Sequence, residues 1–381
     1  MAVTRRRFLR EVSRAGAAAS LALTGCRRRI AAVNPIPNGV TIGEAGDRNG
    51  ILAGSAVSVR TLRESAAYAD LVRTQCRIVV AENDMKFERL RPSPETFFFD
   101  DSDYLFSFAE RSRILVRGHN FMWHRQLPPW FASYATPANA ERLLVDHIQT
   151  VGRRYAGRVQ SWDVVNEVIH PPDGLPGGLR DTPWYRLLGA GGIDLAFRTA
   201  RLADPHALLC CNDYGIESEA PEQAAKRAAV LEFLRGLKHR GVPIDGMGIQ
   251  AHLSAGPEHR YGAGLKRFMA EVQRMDLKLL ITEMDVNDRD LGPAPLERDR
   301  EVARVYEQFL KTALANPNTI AMLTWGLTDR YTWLNSEKSR PDHLAERCLP
   351  FDDELRPVPA YDAEVQALLQ APTRPLVAGR A

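Results

Sequence analysis

The chain has 381 residues, 45% hydrophobic and 25% charged, which are ordinary proportions for a globular protein long enough to bury a large core. The formal charge of +3 misleads: residues 1–25 hold five arginines (Arg5, Arg6, Arg7, Arg10, Arg14) against Glu11, and without them 45 basic and 46 acidic residues leave a net charge of −1. A body without basic excess removes the main electrostatic support for nucleic acid as a partner, so none is expected.

The N-terminus reads as an address. Thr4-Arg5-Arg6-Arg7-Phe8-Leu9 is a twin-arginine pattern, followed by a mildly apolar, uncharged run from Ala15 to Gly25. That run is far shorter than the roughly 20 apolar residues a membrane span needs, but it suits a signal-peptide core. Residues 1–25 are therefore expected to be a twin-arginine signal peptide, and the protein to be exported to the periplasm or cell surface. Leu23-Thr24-Gly25-Cys26 resembles a lipobox, so a lipid on Cys26 is the one expected link to a membrane; a plain cleaved signal beside an incidental cysteine is the alternative. Pro35, Pro37, Asn38 and neighbouring glycines mark residues 26–45 as a linker.

From residue 46 short apolar runs alternate with longer helical patterns. The strand candidates are Ile51–Val57, Cys76–Ala81, Ile114–Gly118, Val159–Val165, Leu208–Asn212, Gly246–Gln250, Leu279–Glu283 and Ala321–Gly326. Several are continuous apolar runs, as parallel strands covered on both faces should be. Helical stretches fall at Asn139–Tyr155, Ile193–Ala203, Pro221–Arg240, Tyr261–Met275 and Pro295–Ala315. Eight strands with intervening helices predict an α/β fold, a (β/α)8 TIM barrel over residues 46–370, with 371–381 as a C-terminal tail. A doubly wound sheet is the alternative, and the strand count favours the barrel. Cys76, Cys210, Cys211 and Cys348 show no metal spacing and no CxxC. The first three are expected to be buried thiols, with Cys210 and Cys211 facing opposite ways; a disulfide to Cys348 stays open.

In such a barrel chemistry gathers where the strands end at their C-terminal side. The residues found there are Glu82-Asn83-Asp84-Met85-Lys86, then His119-Asn120-Phe121-Met122-Trp123-His124, Asn166-Glu167, Asn212-Asp213-Tyr214, Gln250-Ala251-His252, Glu283-Met284-Asp285 and Trp325, with Trp333 beyond. Glu167 and Glu283, after the fourth and seventh strands, would face each other across the barrel mouth. Glycoside hydrolysis needs two such carboxyl groups, one to protonate the leaving oxygen and one to attack or to activate water. At the roughly 5–5.5 Å of a retaining pair, two carboxylates repel by about 3 kcal/mol at an effective dielectric near 20. That is worth about two pH units, so one stays protonated to about pH 6 while the other is ionised.

His252 and Asp285 extend the pattern. Asp285 lies two residues past Glu283, on the same strand face, and a Glu–His–Asp line would keep Glu283 ionised. A core histidine satisfied by a backbone carbonyl is the bland alternative. The Asn166 amide suits a sugar 2-hydroxyl. Trp123, Trp325 and Trp333 offer ring faces, whereas Trp162 reads as core packing. Glu82, Asn83, Lys86, His119 and Gln126 suit hydroxyl binding, or are simply loop polarity.

These segments, together with Trp162-Asp163-Val164-Val165, Leu179-Arg180-Asp181, Trp184-Tyr185, Ile281-Thr282 and Thr324-Trp325-Gly326, come in one order over residues 46–368. In that order the chain resembles glycoside hydrolase family ten, the endo-β-1,4-xylanases. The resemblance implies a retaining double displacement, with Glu167 as acid/base, Glu283 as nucleophile and His252 supporting it. It further implies that Asn166 touches the 2-hydroxyl, that Glu82, Asn83, Lys86, His119, Trp123 and Gln126 hold the non-reducing-end sugars, that Gln250 lies near the nucleophile, and that Trp325 and Trp333 close over the site. The implied partner is xylan or its oligosaccharides; no cofactor and no metal are expected, and a monomer is expected. Three departures are visible: Phe87 where tryptophan is common, Asn120-Phe121-Met122 for a more usual Thr-Leu-Val, and the Pro171–Gly178 loop. A β-1,4-glucan hydrolase on the same barrel and a non-catalytic glycan-binding lipoprotein are the competing readings; a metal-dependent barrel hydrolase would want an HxH pair where the first strand has Ala53-Gly54-Ser55-Ala56-Val57.

Overall fold

In the computed structural model, which describes residues 39–256 and 260–378, the apolar runs lie side by side as parallel strands. The twin-arginine run, Cys26 and most of the expected linker fall outside these residues. The strands are β1 (Leu52–Val57), β2 (Ile78–Ala81), β3 (Leu115–Met122), β4 (Val159–Asn166), β5 (Leu208–Asp213), β6 (Gly246–Ile249), β7 (His252–Ser254), β8 (Lys278–Asn287) and β9 (Thr319–Thr324). Neighbours follow chain order from β1 to β6. The ring closes where β6 pairs with β8 (Met247 beside Leu279) and β9 pairs with β1 (Ala321 beside Leu52). Eight parallel strands with helices between them make the expected (β/α)8 barrel. The ninth, β7, is a three-residue strand on the outer end of β8, with His252 beside Asp285.

Both faces of the strands are covered, which is why the runs are continuously apolar. Leu52, Ile78, Val80, Leu208, Cys210, Leu280, Ala321 and Leu323 form one buried cluster. Cys210 belongs to it, and its neighbour Cys211, on the opposite face of β5, is buried too. All four cysteines among the described residues are free and buried. Trp162 is core, stacked on Phe121 at 4.2 Å between ring centres, with its Nε1 donating to Asp204 at 3.1 Å. A Cβ at Gly118 would lie 2.0 Å from that indole, so only glycine fits there.

The helices occupy Ala140–Arg154, Gly191–Ala203, Pro221–His239, Ala263–Arg274 and Pro295–Ala313, close to expectation. Several strand limits move. Cys76, expected to open the second strand, instead caps the helix Ala66–Gln75, its N–H still donating to Val72 at 3.0 Å. β3 runs four residues past Gly118, so His119 and Asn120 sit on the strand itself, and β8 continues past Glu283 to Asn287.

The domain margins also differ from expectation. Within the expected linker Thr41 begins a helix, Ile42–Asp47, through a reciprocal cap: Thr41 Oγ1 accepts from Glu44 N–H at 3.2 Å, and Glu44 Oε2 accepts from Thr41 N–H at 3.0 Å. Ile42 and Ala45 are fully buried, so the domain starts earlier than residue 46. At the other end the expected tail is docked. Arg374 is buried, and its guanidinium donates to the carbonyls of Leu314, Asn316 and Thr319 at 2.7–2.8 Å. Asn49 reaches the last carbonyls of the helix Pro359–Gln370, at 2.8 Å for Leu368 and 3.2 Å for Leu369, so the first and last elements clasp each other.

Candidate active site

A cleft of about 1080 Å³ opens where the strands end. It is lined by Glu82, Asn83, Lys86, His119, Trp123, Gln126, Asn166, Glu167, Gln250, His252, Glu283, Trp325 and Trp333, which is the whole set singled out from sequence apart from Asp285. Asp285 stands directly behind, on β8, and is buried.

The two glutamates arrive by different routes. Glu283 lies within β8 and is only 5% exposed. Glu167 follows the last residue of β4 in a left-handed conformation (φ 58°), which turns its carboxyl into the cleft. Its N–H donates to the Asn212 carbonyl at 2.8 Å, and its own carbonyl accepts from Arg180 Nε at 2.6 Å. Arg180 also donates to the Tyr214 hydroxyl at 3.0 Å, so the left-handed turn is gripped from both sides.

Three side-chain amides join the carboxyl groups. Asn212 Nδ2 donates to Glu283 Oε1 at 2.7 Å and to Asn166 Oδ1 at 2.9 Å. Asn166 Nδ2 and Gln250 Nε2 donate to Glu167 Oε1 at 3.3 and 3.2 Å. Thr282 fixes the Asn212 amide, donating to its Oδ1 at 2.7 Å. One oxygen of each glutamate, Oε1, is therefore held by neutral amide donors, at the level where strands β4, β5, β6 and β8 meet the cleft.

The Glu–His–Asp line is present. His252 Nε2 stands 3.2 Å from Glu283 Oε2, and its Nδ1 stands 2.9 Å from Asp285 Oδ1. Asp285 Oδ2 accepts from Trp333 Nε1 at 2.7 Å. Burial alone would raise the pKa of Glu283, but the His252 hydrogen bond and the charges of His119, His252 and Lys86 outweigh it and hold it at about 2. For His252 burial acts downward, and the charge and hydrogen bond of Asp285, then those of Glu283, win and lift it to about 10. Glu283 is thus an anion and His252 a cation across the neutral range.

Also in the cleft lining, Lys86 Nζ donates to Asn83 Oδ1 at 3.0 Å and lies 4.9 Å from the Trp123 ring centre and 5.7 Å from that of Trp325. Burial lowers the Lys86 pKa, opposed by Glu283, Glu82 and Glu167. Gln126 Nε2 donates to the same Asn83 oxygen at 3.3 Å. His119 Nδ1 meets Asp163 Oδ2 at 2.9 Å, and Asp163 pairs with the fully buried Arg117.

Several contributors were not singled out from sequence. Asn212 is the hinge of the amide chain, yet from sequence it is one more polar residue at a strand end. His124 Nδ1 lies 3.9 Å from Glu167 Oε2; burial drops its pKa to about 4, so the ring is neutral. Arg180 and Tyr214 act on Glu167 as described, and the buried Glu217 accepts from Ala251 N–H at 3.1 Å, where the chain turns left-handed (φ 63°) just before His252. His124, Arg180, Asn212 and Tyr214 lie in the segments that carry the family resemblance, which assigned them no role; Glu217 lies outside those segments.

Two of the departures lie outside the cleft lining, although Asn120 Nδ2 stands 3.3 Å from Nε2 of the lining residue His119. Phe87 turns inward, stacking on His147 at 4.0 Å and packing near Trp184, and is not part of the cleft lining. Phe121 and Met122 are buried. The Pro171–Gly178 loop folds as two 3-10 turns, and Pro171 and Pro172 form part of the cleft rim.

Residues 41–367 match the model of glycosyl hydrolase family 10. The chain is similar to endo-1,4-beta-xylanase B of Thermotoga neapolitana, with 32% identity over 80% of this chain and 84% of that protein. It is also similar to endo-1,4-beta-xylanase 2 of Claviceps purpurea, with 32% identity over 81% and 85%. Among solved structures, xylanase 10B of Thermotoga petrophila RKU-1 in complex with xylobiose superposes with a TM-score of 0.79 at 30% identity, covering 88% of this chain and 98% of that one.

Proposed function

The chain belongs to glycosyl hydrolase family 10, and from that membership we propose that its cleft cuts β-1,4-xylan internally by a retaining double displacement. The observation that carries this reading is that Glu167 and Glu283, far apart in sequence, line one cleft and share one chain of amide donors. The substrate class agrees with the endo-1,4-beta-xylanases it resembles and with the xylobiose held by a structural neighbour.

The chemistry follows from the two environments. Glu283, kept ionised by His252, attacks the anomeric carbon while Glu167 delivers its proton to the departing glycosidic oxygen. The result is a glycosyl ester on Glu283 and a free sugar hydroxyl. Glu167, now a carboxylate, takes a proton from water, whose oxygen attacks the same carbon and releases Glu283. Asn166, held by Asn212 and Gln250, presents its amide to the sugar 2-hydroxyl. Glu82, Asn83, Lys86, His119, Trp123 and Gln126 bind the non-reducing-end sugars, Gln250 steadies Glu167, and Trp325 and Trp333 roof the reacting ring.

Comparative rates on xylan and carboxymethyl cellulose test the substrate. Xylan is expected to be cut far faster, and equal or reversed rates overturn the assignment. Glu283→Ala is expected to abolish turnover while the folded variant still binds xylo-oligosaccharide; retained turnover removes its role as nucleophile. We read residues 1–25 as a twin-arginine export signal, Cys26 as a lipid-attachment point and the enzyme as a monomer. These readings rest on sequence alone, and loss of labelled-palmitate incorporation in Cys26→Ser tests the anchor.

A further inference from the structure

We propose that the cleft continues beyond Asn83 and Gln126 into a distal sugar subsite whose platform is Phe98. A second depression of about 780 Å³ adjoins the first and shares Asn83, Glu88 and Gln126 with it. Its other walls include Phe98, Arg89 and the consecutive prolines Pro128 and Pro129.

The run Phe97-Phe98-Phe99 explains how the platform is made. Phe97 and Phe99 stack on each other at 5.8 Å, with their planes 3° apart. Phe97 also packs under the Arg91 guanidinium at 4.7 Å, and Phe99 under that of Arg154 at 4.3 Å. The flanking rings are anchored, and the backbone is tied down where Phe98 N–H donates to the Leu90 carbonyl at 2.9 Å. The middle ring is left on the other side, 47% exposed and facing the depression. A phenylalanine held open on a fixed backbone loses apolar burial and gains nothing for the fold. Beside a polysaccharide track it offers what a pyranose needs: an apolar face for the ring's C–H groups, flanked by prolines, with the exposed Glu88 and Arg89 at the edge for hydroxyls.

The occupant is fixed by continuity. Asn83 and Gln126 line both depressions and are locked together, since Gln126 donates to Asn83 and Glu88 N–H donates to the Gln126 carbonyl at 3.1 Å. A xylan chain whose non-reducing sugars lie on that pair has its next ring over Phe98. The assignment rests on the proposed function, and on the direction in which the chain is laid there.

The test uses xylotriose and xylopentaose carrying a fluorescent label at the reducing end. Phe98→Ala is expected to lower kcat/KM on xylopentaose roughly threefold to tenfold, the worth of one lost ring contact, and to leave xylotriose unchanged. The cut that puts three sugars on the non-reducing side, releasing labelled xylobiose, should fall relative to the cut releasing labelled xylotriose. Phe98→Trp should restore both. Unchanged ratios in Phe98→Ala, with both substrates still cut, remove the subsite and leave the proposed function standing. A shift towards labelled xylobiose would put the ring on the reducing side and overturn the assignment. Failure of the unaltered enzyme to cut either oligosaccharide would remove the proposed function, and the subsite with it.

Discussion

Replacing His252 by alanine should separate the ionisation of Glu283 from the rest of the site. Glu283 is buried in a place that by itself favours the neutral acid, yet it is held at about 2, against an ordinary 4.5, chiefly by the His252 hydrogen bond and the charges of His119, His252 and Lys86. At about 1.4 kcal/mol per pH unit, that difference stabilises the anion by on the order of 3 kcal/mol. Without His252 burial is no longer fully offset, although His119 and Lys86 remain. A lowered carboxyl pKa favours the folded, ionised form above 4.5, and the gain is lost as pH falls through about 2. In His252→Ala that loss moves to higher pH. The acid limb of kcat/KM, read from initial rates on an aryl β-xylobioside, should rise by roughly one to two pH units. Activity at pH 4 should then fall further than activity at pH 7. His252→Gln, which keeps a donor without the charge, should lie between. An acid limb in His252→Ala that coincides with the wild-type limb would refute the argument that His252 keeps Glu283 ionised.

Further consequences can be read elsewhere in the molecule. Glu364 is fully buried, neither carboxyl oxygen has a hydrogen-bond partner among the described residues, and burial raises its pKa to about 8. Its folded form therefore holds a proton that the unfolded chain gives up. Its contribution to stability is full below 4.5 and is lost as pH rises to about 8, so Glu364→Gln should raise the melting temperature at pH 9 by roughly 2–4 °C and hardly change it at pH 4, as scanning calorimetry can check. Arg374→Ala should destabilise the fold by on the order of 3 kcal/mol in urea unfolding, because two buried carbonyls and one half-buried one lose a charged donor; an unchanged midpoint would mean the tail is not docked. Gly248→Ala would bring a Cβ to 2.2 Å from Asn212 Oδ1 and push that amide away from Glu283. A tenfold to hundredfold loss of kcat, roughly the worth of one preorganised donor, is expected with near-normal circular dichroism.

How much of this was legible beforehand differs by feature. The barrel was, because strands covered on both faces write continuous apolar runs that survive without any alignment. The paired glutamates and the His252–Asp285 line were, because alternation on a strand fixes which residues share a face. Asn212 was not: its role depends on β5 lying between β4 and β6, a register no single strand reveals. The start of the domain was obscured by Pro35 and Pro37, although the Thr41/Glu44 pair carried a capping signal. The helices Val59–Glu64 and Ala66–Gln75, capped by Ser58 and Ser65, were missed for want of length, as were their limits against Cys76. Arg374 in a short tail gave no hint of burial, because the carbonyls that draw it in come from Leu314 to Thr319. Phe87 could not be sorted from sequence between cleft and core; its stack on His147 decides for the core.

The most direct test of the central claim is the anomeric form of the first product. Proton NMR recorded within the first turnovers on xylopentaose, before mutarotation, should show the β-anomer at the new reducing end, as two displacements at one carbon require. An initial α-anomer would mean that water, and not Glu283, attacks that carbon.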